Sequence, residues 1–160
     1  MRKEIVGQKT GAAEAQAAAA WLDLSSIARV QLTSEDQAFP IENALSTNPA
    51  LNELGWRAAS PGPQTITILF DAPQPVRRIV LHFVEHKVER PQEFLLRYSS
   101  QKETDREIVR QQWTFSPSGS HEEIEDYAVE LESVTKLELV IDPDRGRRHS
   151  VATLSALRIA

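Results

Sequence analysis

The 160-residue sequence predicts an all-β fold, a β-sandwich jelly roll of about eight antiparallel strands with a short N-terminal helix. Two adjacent stretches and the chain that follows them carry this reading. Thr65–Asp71 alternates, with Ile66, Ile68 and Phe70 on one face and Thr65 and Thr67 on the other. Val76–Glu85 alternates as well, with Ile79, Leu81 and Phe83 opposed to Arg78 and His82. Strand side chains change face at every residue, so a period of two marks half-buried strands. Further alternating runs recur down to the C-terminus at even spacing, as in a sandwich.

In chain order, Met1 to about Thr10 shows no pattern. Gly11–Ala20 is alanine-rich, which favours helix, and Trp21, Leu24 and Ile27–Ala28 continue at helical spacing. A helix within residues 12–27 is therefore expected, packed through Trp21 and Leu24. The alternative is a frayed tail that orders only in a dimer. Arg29–Thr33 is a short strand. Ser34–Pro63 reads as a long surface excursion with a helical turn near Ile41–Leu45, and loops of that length tend to be functional. Ala72-Pro73-Gln74-Pro75 then separates the two alternating stretches. Proline cannot donate to a ladder, so both prolines belong in a turn, and the two stretches are expected as a hairpin.

Four more strands follow: Glu93–Ser99 with Phe94, Leu96 and Tyr98 inward; Glu107–Phe115 with Val109, Trp113 and Phe115; Asp126–Glu132 with Tyr127, Val129 and Leu131; and Lys136–Asp142 with Leu137, Leu139 and Ile141. The last, Val151–Ile159, shifts phase near Leu154–Leu157, which predicts a bulge. The division is residues 1–27 for tail and helix and 28–160 for the sandwich.

Composition excludes several function classes. A formal net charge of −5 argues against general nucleic-acid binding, which needs a basic surface. The absence of cysteine removes disulfides, thiolate metal sites and Cys-based catalysis. MRKEIVGQKTGAAEAQ lacks the apolar core of a signal peptide, and no stretch approaches the roughly 20 apolar residues of a membrane helix. The expectation is a cytoplasmic protein that contacts neither membrane nor nucleic acid.

Trp56-Arg57-Ala58, the run Pro61–Asp71 (PGPQTITILFD), Pro75–Leu81 (PVRRIVL), Arg90–Ser99 (RPQEFLLRYS) and Leu154–Ile159 resemble the discoidin or coagulation-factor type C-domain family of the galactose-binding-domain-like superfamily. The resemblance covers roughly residues 28–160. It implies a jelly roll whose loops at one end bind sugars, lipid headgroups or proteins, usually without catalysis. Many sugar-binding members hold a structural calcium with an Asp-Gly-Asp-x-x-Thr-like loop before the tryptophan. This chain reads ENALSTNPALNELGW there, with Glu42 and Asn43 as the oxygen donors, whereas a hard cation wants about six. No metal and no cofactor are expected, and Asp142-Pro143-Asp144 is read as a solvated turn.

Strand parity locates a site independently of the resemblance. Successive antiparallel strands place their connections alternately at two ends. Ser34–Pro63, His86–Pro91, Ser116–Ile124 and Pro143–Ser150 fall at the first end; Ala72–Pro75, Gln101–Arg106 and Ser133–Thr135 fall at the second. The first end thus collects Trp56, Arg57, His86, Arg90, His121, Arg145, Arg147, Arg148 and His149. Loops on a rigid scaffold are where binding residues concentrate. An aromatic face stacks on a sugar's C–H face, and Arg and His donors pair with hydroxyls or carboxylates. The candidate ligand-binding residues are Trp56, Arg57, His86, Arg90, Arg147 and His149. Each has a plainer reading. Trp56 and Trp113 fit a core, Arg90 can pair with Glu85, Glu89 or Glu93 for about 0–1 kcal/mol, and Arg147-Arg148-His149 fits a solvated loop.

Catalytic signatures are missing. His82 and His86 straddle a strand end about 13 Å apart, too far for one metal. His121-Glu122-Glu123 lacks zinc-helix spacing. There is no phosphate-binding glycine loop and no G-x-S-x-G elbow. The leading expectation is a non-catalytic carbohydrate-binding module. The alternative is a protein-interaction or assembly domain, with a homodimer made through the N-terminal helix.

Overall fold

A computed structural model of the chain describes residues 21–147 and 149–160. The described residues form three short helices and eight strands: α1 (Leu24–Ile27), β1 (Ala28–Leu32), α2 (Ile41–Leu45), α3 (Pro49–Leu54), β2 (Trp56–Pro61), β3 (Gln64–Val84), β4 (Arg90–Ser100), β5 (Arg106–Phe115), β6 (Glu122–Asp142), β7 (Val151–Leu154) and β8 (Ala156–Ile159). The expected N-terminal helix is reduced to α1 among these residues. Its alanine-rich part, residues 12–20, lies outside them, as does any dimer contact it makes.

The expected hairpin is not one. Thr65–Asp71 and Val76–Glu85 do not pair with each other; they are halves of the 21-residue strand β3. Lys136–Asp142 and Asp126–Glu132 are likewise halves of β6, also 21 residues long. β3 and β6 pair antiparallel along their whole length, from Gln64↔Ile141 to Val84↔Glu122, with register slips between Leu69 and Arg78. At the slip β3 carries Pro73 and Pro75 exposed, and β6 carries Ser133 at a left-handed φ of 52°. Strand bulges of this kind bend a ladder and let a strand pass from one sheet layer to the other. The slip also changes which residues of β3 face inward, from Ile66, Ile68 and Phe70 to Ile79, Leu81 and Phe83, all buried.

Each half of the two long strands therefore belongs to a different layer. In the first layer β1 joins β3 through Ala28↔Phe70 to Leu32↔Ile66, and β4 joins β6 through Glu93↔Asp142 to Ser100↔Val134, with β5 outside β4. In the second, β8 joins the other half of β3 through Ile79↔Ile159 to His82↔Ala156. β7 follows directly and pairs with β2. The break between β7 and β8 at Ser155 sits where the sequence phase shift predicts a bulge. Phe83 of the second layer meets Phe94 of the first at 5.5 Å and Trp113 at 5.3 Å, so the aromatic core lies between the layers. Each fully buried Phe or Ile there contributes about 1.5–3 kcal/mol, which holds the arch closed.

The Ser34–Pro63 excursion is more structured than expected. The helical turn at Ile41–Leu45 is present, but α3 and β2 are additional. α3 has complete local signals: Asn48 caps it by accepting from Ala50 N at 3.0 Å, Pro49 opens it, and Gly55 closes it at φ 66°. No described helix is long and apolar enough to cross a membrane.

Candidate functional site

Because both long strands arch over, the connections at 85–89, 116–121 and 143–150 share one pole. Glu85 N donates to His121 O at 2.8 Å, and Arg145 N donates to Pro91 O at 2.7 Å. The rings of His86 and His121 lie 5.0 Å apart. The predicted site residues at this pole divide into three groups.

Arg90 and Trp56 are built into the interior. Arg90 is 1% exposed, its Nε donating to Glu85 Oε1 at 2.8 Å and its Nη1 donating to Gln92 Oε1 at 2.6 Å and to Pro143 O. Its guanidinium also lies 4.9 Å from the Phe115 ring centre. It ties the 85–89 and 143–150 connections to β4 and is not available to a ligand. Burial acts to raise the Glu85 carboxyl, but Arg90 and the amide of Lys87 outweigh it and leave it below the usual carboxylate range. Trp56 is also 1% exposed, so no ring face is open for stacking. Trp113 packs with Phe83, Phe94 and Phe115 in the core, in line with its alternation.

Arg147 and His149 stand exposed on the 143–150 loop and line no cleft; Arg148 lies outside the described residues. Beside them Asp144 is buried, so the expected solvated turn is a turn tucked under its loop.

Arg57 and His86 do come together, in an open cleft of about 650 Å³ between α3 and the outer face of the second layer. Sequence reasoning missed four further members: His82, Arg158, Phe39 and Leu54. His82 is an outward residue of β3, and its Nε2 lies 2.7 Å from Glu122 Oε1. Arg158 is an outward residue of β8, opposite Val80. Phe39 accepts from Arg57 N through its carbonyl at 3.1 Å, and both residues line the cleft. Leu54 is 57% exposed on the α3 wall.

Buried Asn52 fixes that wall. Its Nδ2 donates to Asn43 O at 2.9 Å and Ser46 O at 3.0 Å, its Oδ1 accepts from Arg158, and its carbonyl accepts from Ser155 Oγ at 2.7 Å. Asn43 Nδ2 in turn donates to Gly55 O at 3.0 Å. The loop in which the family resemblance places calcium is thus braced by side-chain amides that donate to its carbonyl oxygens. Its residues do not fit a calcium ion. Among the described residues no group of three His, Asp or Glu side chains is placed to hold a metal.

Neither a protein-family model nor a curated protein matches the sequence. The structure is similar to the family 32 carbohydrate-binding module (CBM32) of AlyQ, solved with 4,5-unsaturated mannuronic acid, with a TM-score of 0.60 and 16% identity over 88% of this chain and 97% of that one. It is similar to the family 32 module of C. perfringens NanJ, solved with galactose, with a TM-score of 0.63 and 11% identity over 87% and 96%. A third likeness is to CBM32-3 from a family 31 glycoside hydrolase of Clostridium perfringens, with a TM-score of 0.59 and 16% identity over 87% and 93%. Identities this low carry the fold alone: the chain shares the β-sandwich fold of these modules.

Proposed function

We propose that this sandwich is a non-catalytic carbohydrate-binding module whose ligand occupies the cleft between α3 and the outer face of β3, β7 and β8. The observation that carries the reading is the likeness, over nearly the whole of both chains, to modules solved with bound sugars. The cleft adds chemical support. Phe39 and Leu54 offer apolar surface for a sugar's C–H face, and Arg57, His82, His86 and Arg158 offer donors above it. A catalytic role would need an acid and a base held at matched distances from one bond. In the cleft, Glu122 is already engaged by His82, and Glu53 is an exposed residue of α3.

A glycan array read with the intact chain tests this, followed by titration of each hit against intrinsic tryptophan fluorescence. Retention of a defined set of glycans, recovered chemically unchanged, is the expected result. Retention of none, or release of shortened products, overturns it.

A further inference from the structure

We infer that the ligand of the cleft carries a carboxylate, so that the site is built for a uronate sugar in preference to a neutral one. This rests on the binding-module reading above and follows from the hydrogen-bonding capacity the cleft leaves unused. The unused groups are overwhelmingly donors. Arg57 is exposed and its guanidinium makes no hydrogen bond or ion pair among the described residues. The Arg158 guanidinium is held against the α3 wall by Asn52. His86 lies with its ring 5.0 Å from that of His121 and has no hydrogen-bond partner among the described residues.

The acceptors are largely taken. Glu122 is engaged by His82, and both oxygens of Asn52 accept from Arg158 and Ser155. Glu53 on α3 is the lining carboxylate left without a partner among the described residues. A sugar hydroxyl brings a donor along with its acceptor lone pairs, so a site for neutral sugars must supply acceptors too. A carboxylate brings acceptors alone, with about four lone-pair positions, and it accepts from guanidinium groups in paired, charge-assisted bonds. Arg57 is the group placed to meet the charge.

Matched ligands that differ only in charge decide the matter. The intact chain is titrated by calorimetry with an oligogalacturonide, an oligomannuronate, and the methyl ester of each. The expected result is binding of at least one acid at least tenfold tighter than its ester, with the preference shrinking as salt rises. Arg57→Gln should bring acid and ester to within about twofold of each other, with its melting temperature unchanged. Arg106→Ala, at the opposite pole, should keep the wild-type ratio. Equal affinity for acid and ester overturns the inference, as does a preference that survives in Arg57→Gln. Binding of neutral glycans with no binding of either acid also overturns it, yet leaves the module reading intact. Failure of every glycan, charged or neutral, removes the module reading itself.

Discussion

Two groups of cationic and aromatic side chains share one pole of the sandwich: the knot around Arg90 and the cleft around Arg57. Residue types are the same in both. In the knot the guanidinium is buried, lies against Phe115, and donates to Glu85, Gln92 and Pro143. In the cleft Arg57 is exposed and its guanidinium donates to nothing described. A buried charge must have partners to exist at all, whereas an exposed one is free to wait for a ligand. The difference teaches that an arginine at a loop cluster serves binding only where the surrounding strands leave its partners unassigned.

The contrast breaks most visibly at Arg90. Arg90→Ala strands the buried ends of Glu85 and Gln92, and should cost about 3–5 kcal/mol in urea unfolding. A loss under about 1 kcal/mol would show that the knot does not hold the loops. Next comes Gly55, which ends α3 and forms the cleft wall. A Cβ there would sit 2.8 Å from Leu154 O on a backbone at φ 66°. Gly55→Ala should cost about 1–3 kcal/mol and weaken glycan binding together with stability. Full affinity in the variant would show that the wall position is unimportant.

Titration sharpens the same contrast with a smaller effect. Glu85 in the knot has its carboxyl lowered, so the stability it adds is present above the unfolded-state pKa and lost as pH falls through the lower folded value. Glu85→Gln should therefore be less stable than wild type at pH 7 by on the order of 1 kcal/mol, with the gap closing in acid. Glu123, near the start of β6, shows the reverse sign. It faces inward opposite Phe83, and burial, followed by its hydrogen bond with Glu125, raises its carboxyl. Its contribution is present below the unfolded pKa and lost as pH rises through the raised folded value, so Glu123→Gln should stabilise the protein at pH 7. Parallel pH–stability curves for both variants and wild type would remove this account.

The smallest change in stability belongs to Arg57. Arg57→Ala should leave unfolding within about 0.5 kcal/mol of wild type, because the residue is exposed and unpaired, and should still abolish most of the glycan affinity. Unfolding data that moved it as far as Arg90→Ala would erase the distinction between knot and cleft.

Much of this arrangement was legible residue by residue. The alternation of Ile66 to Phe70 and of Ile79 to Phe83 identified the inward faces, but Pro73 and Pro75 predict a hairpin turn where the structure has a bend within β3. The same count of turns brought His86 to the pole of His121. Helix α3 was legible too, in Asn48-Pro49 and Leu54-Gly55, but a stretch read as loop hid it. His82 and Arg158 carried no local mark of a site. Both are polar residues on outward strand faces, as many solvated residues are. They share the cleft because β8 lies beside β3 in the register His82↔Ala156 and Val80↔Arg158, a pairing between segments far apart in the chain.

By itself the sequence determined the alternating segments, their inward faces and the pole at which the long connections gather. Each of these depends on side-chain direction and turn chemistry, which act over a few residues. Only the tertiary structure decided that Arg90 and Trp56 lie in the interior while Arg57 and His86 open to solvent. Burial and pairing are properties of neighbours in space, and those neighbours come from strands the chain reaches much later.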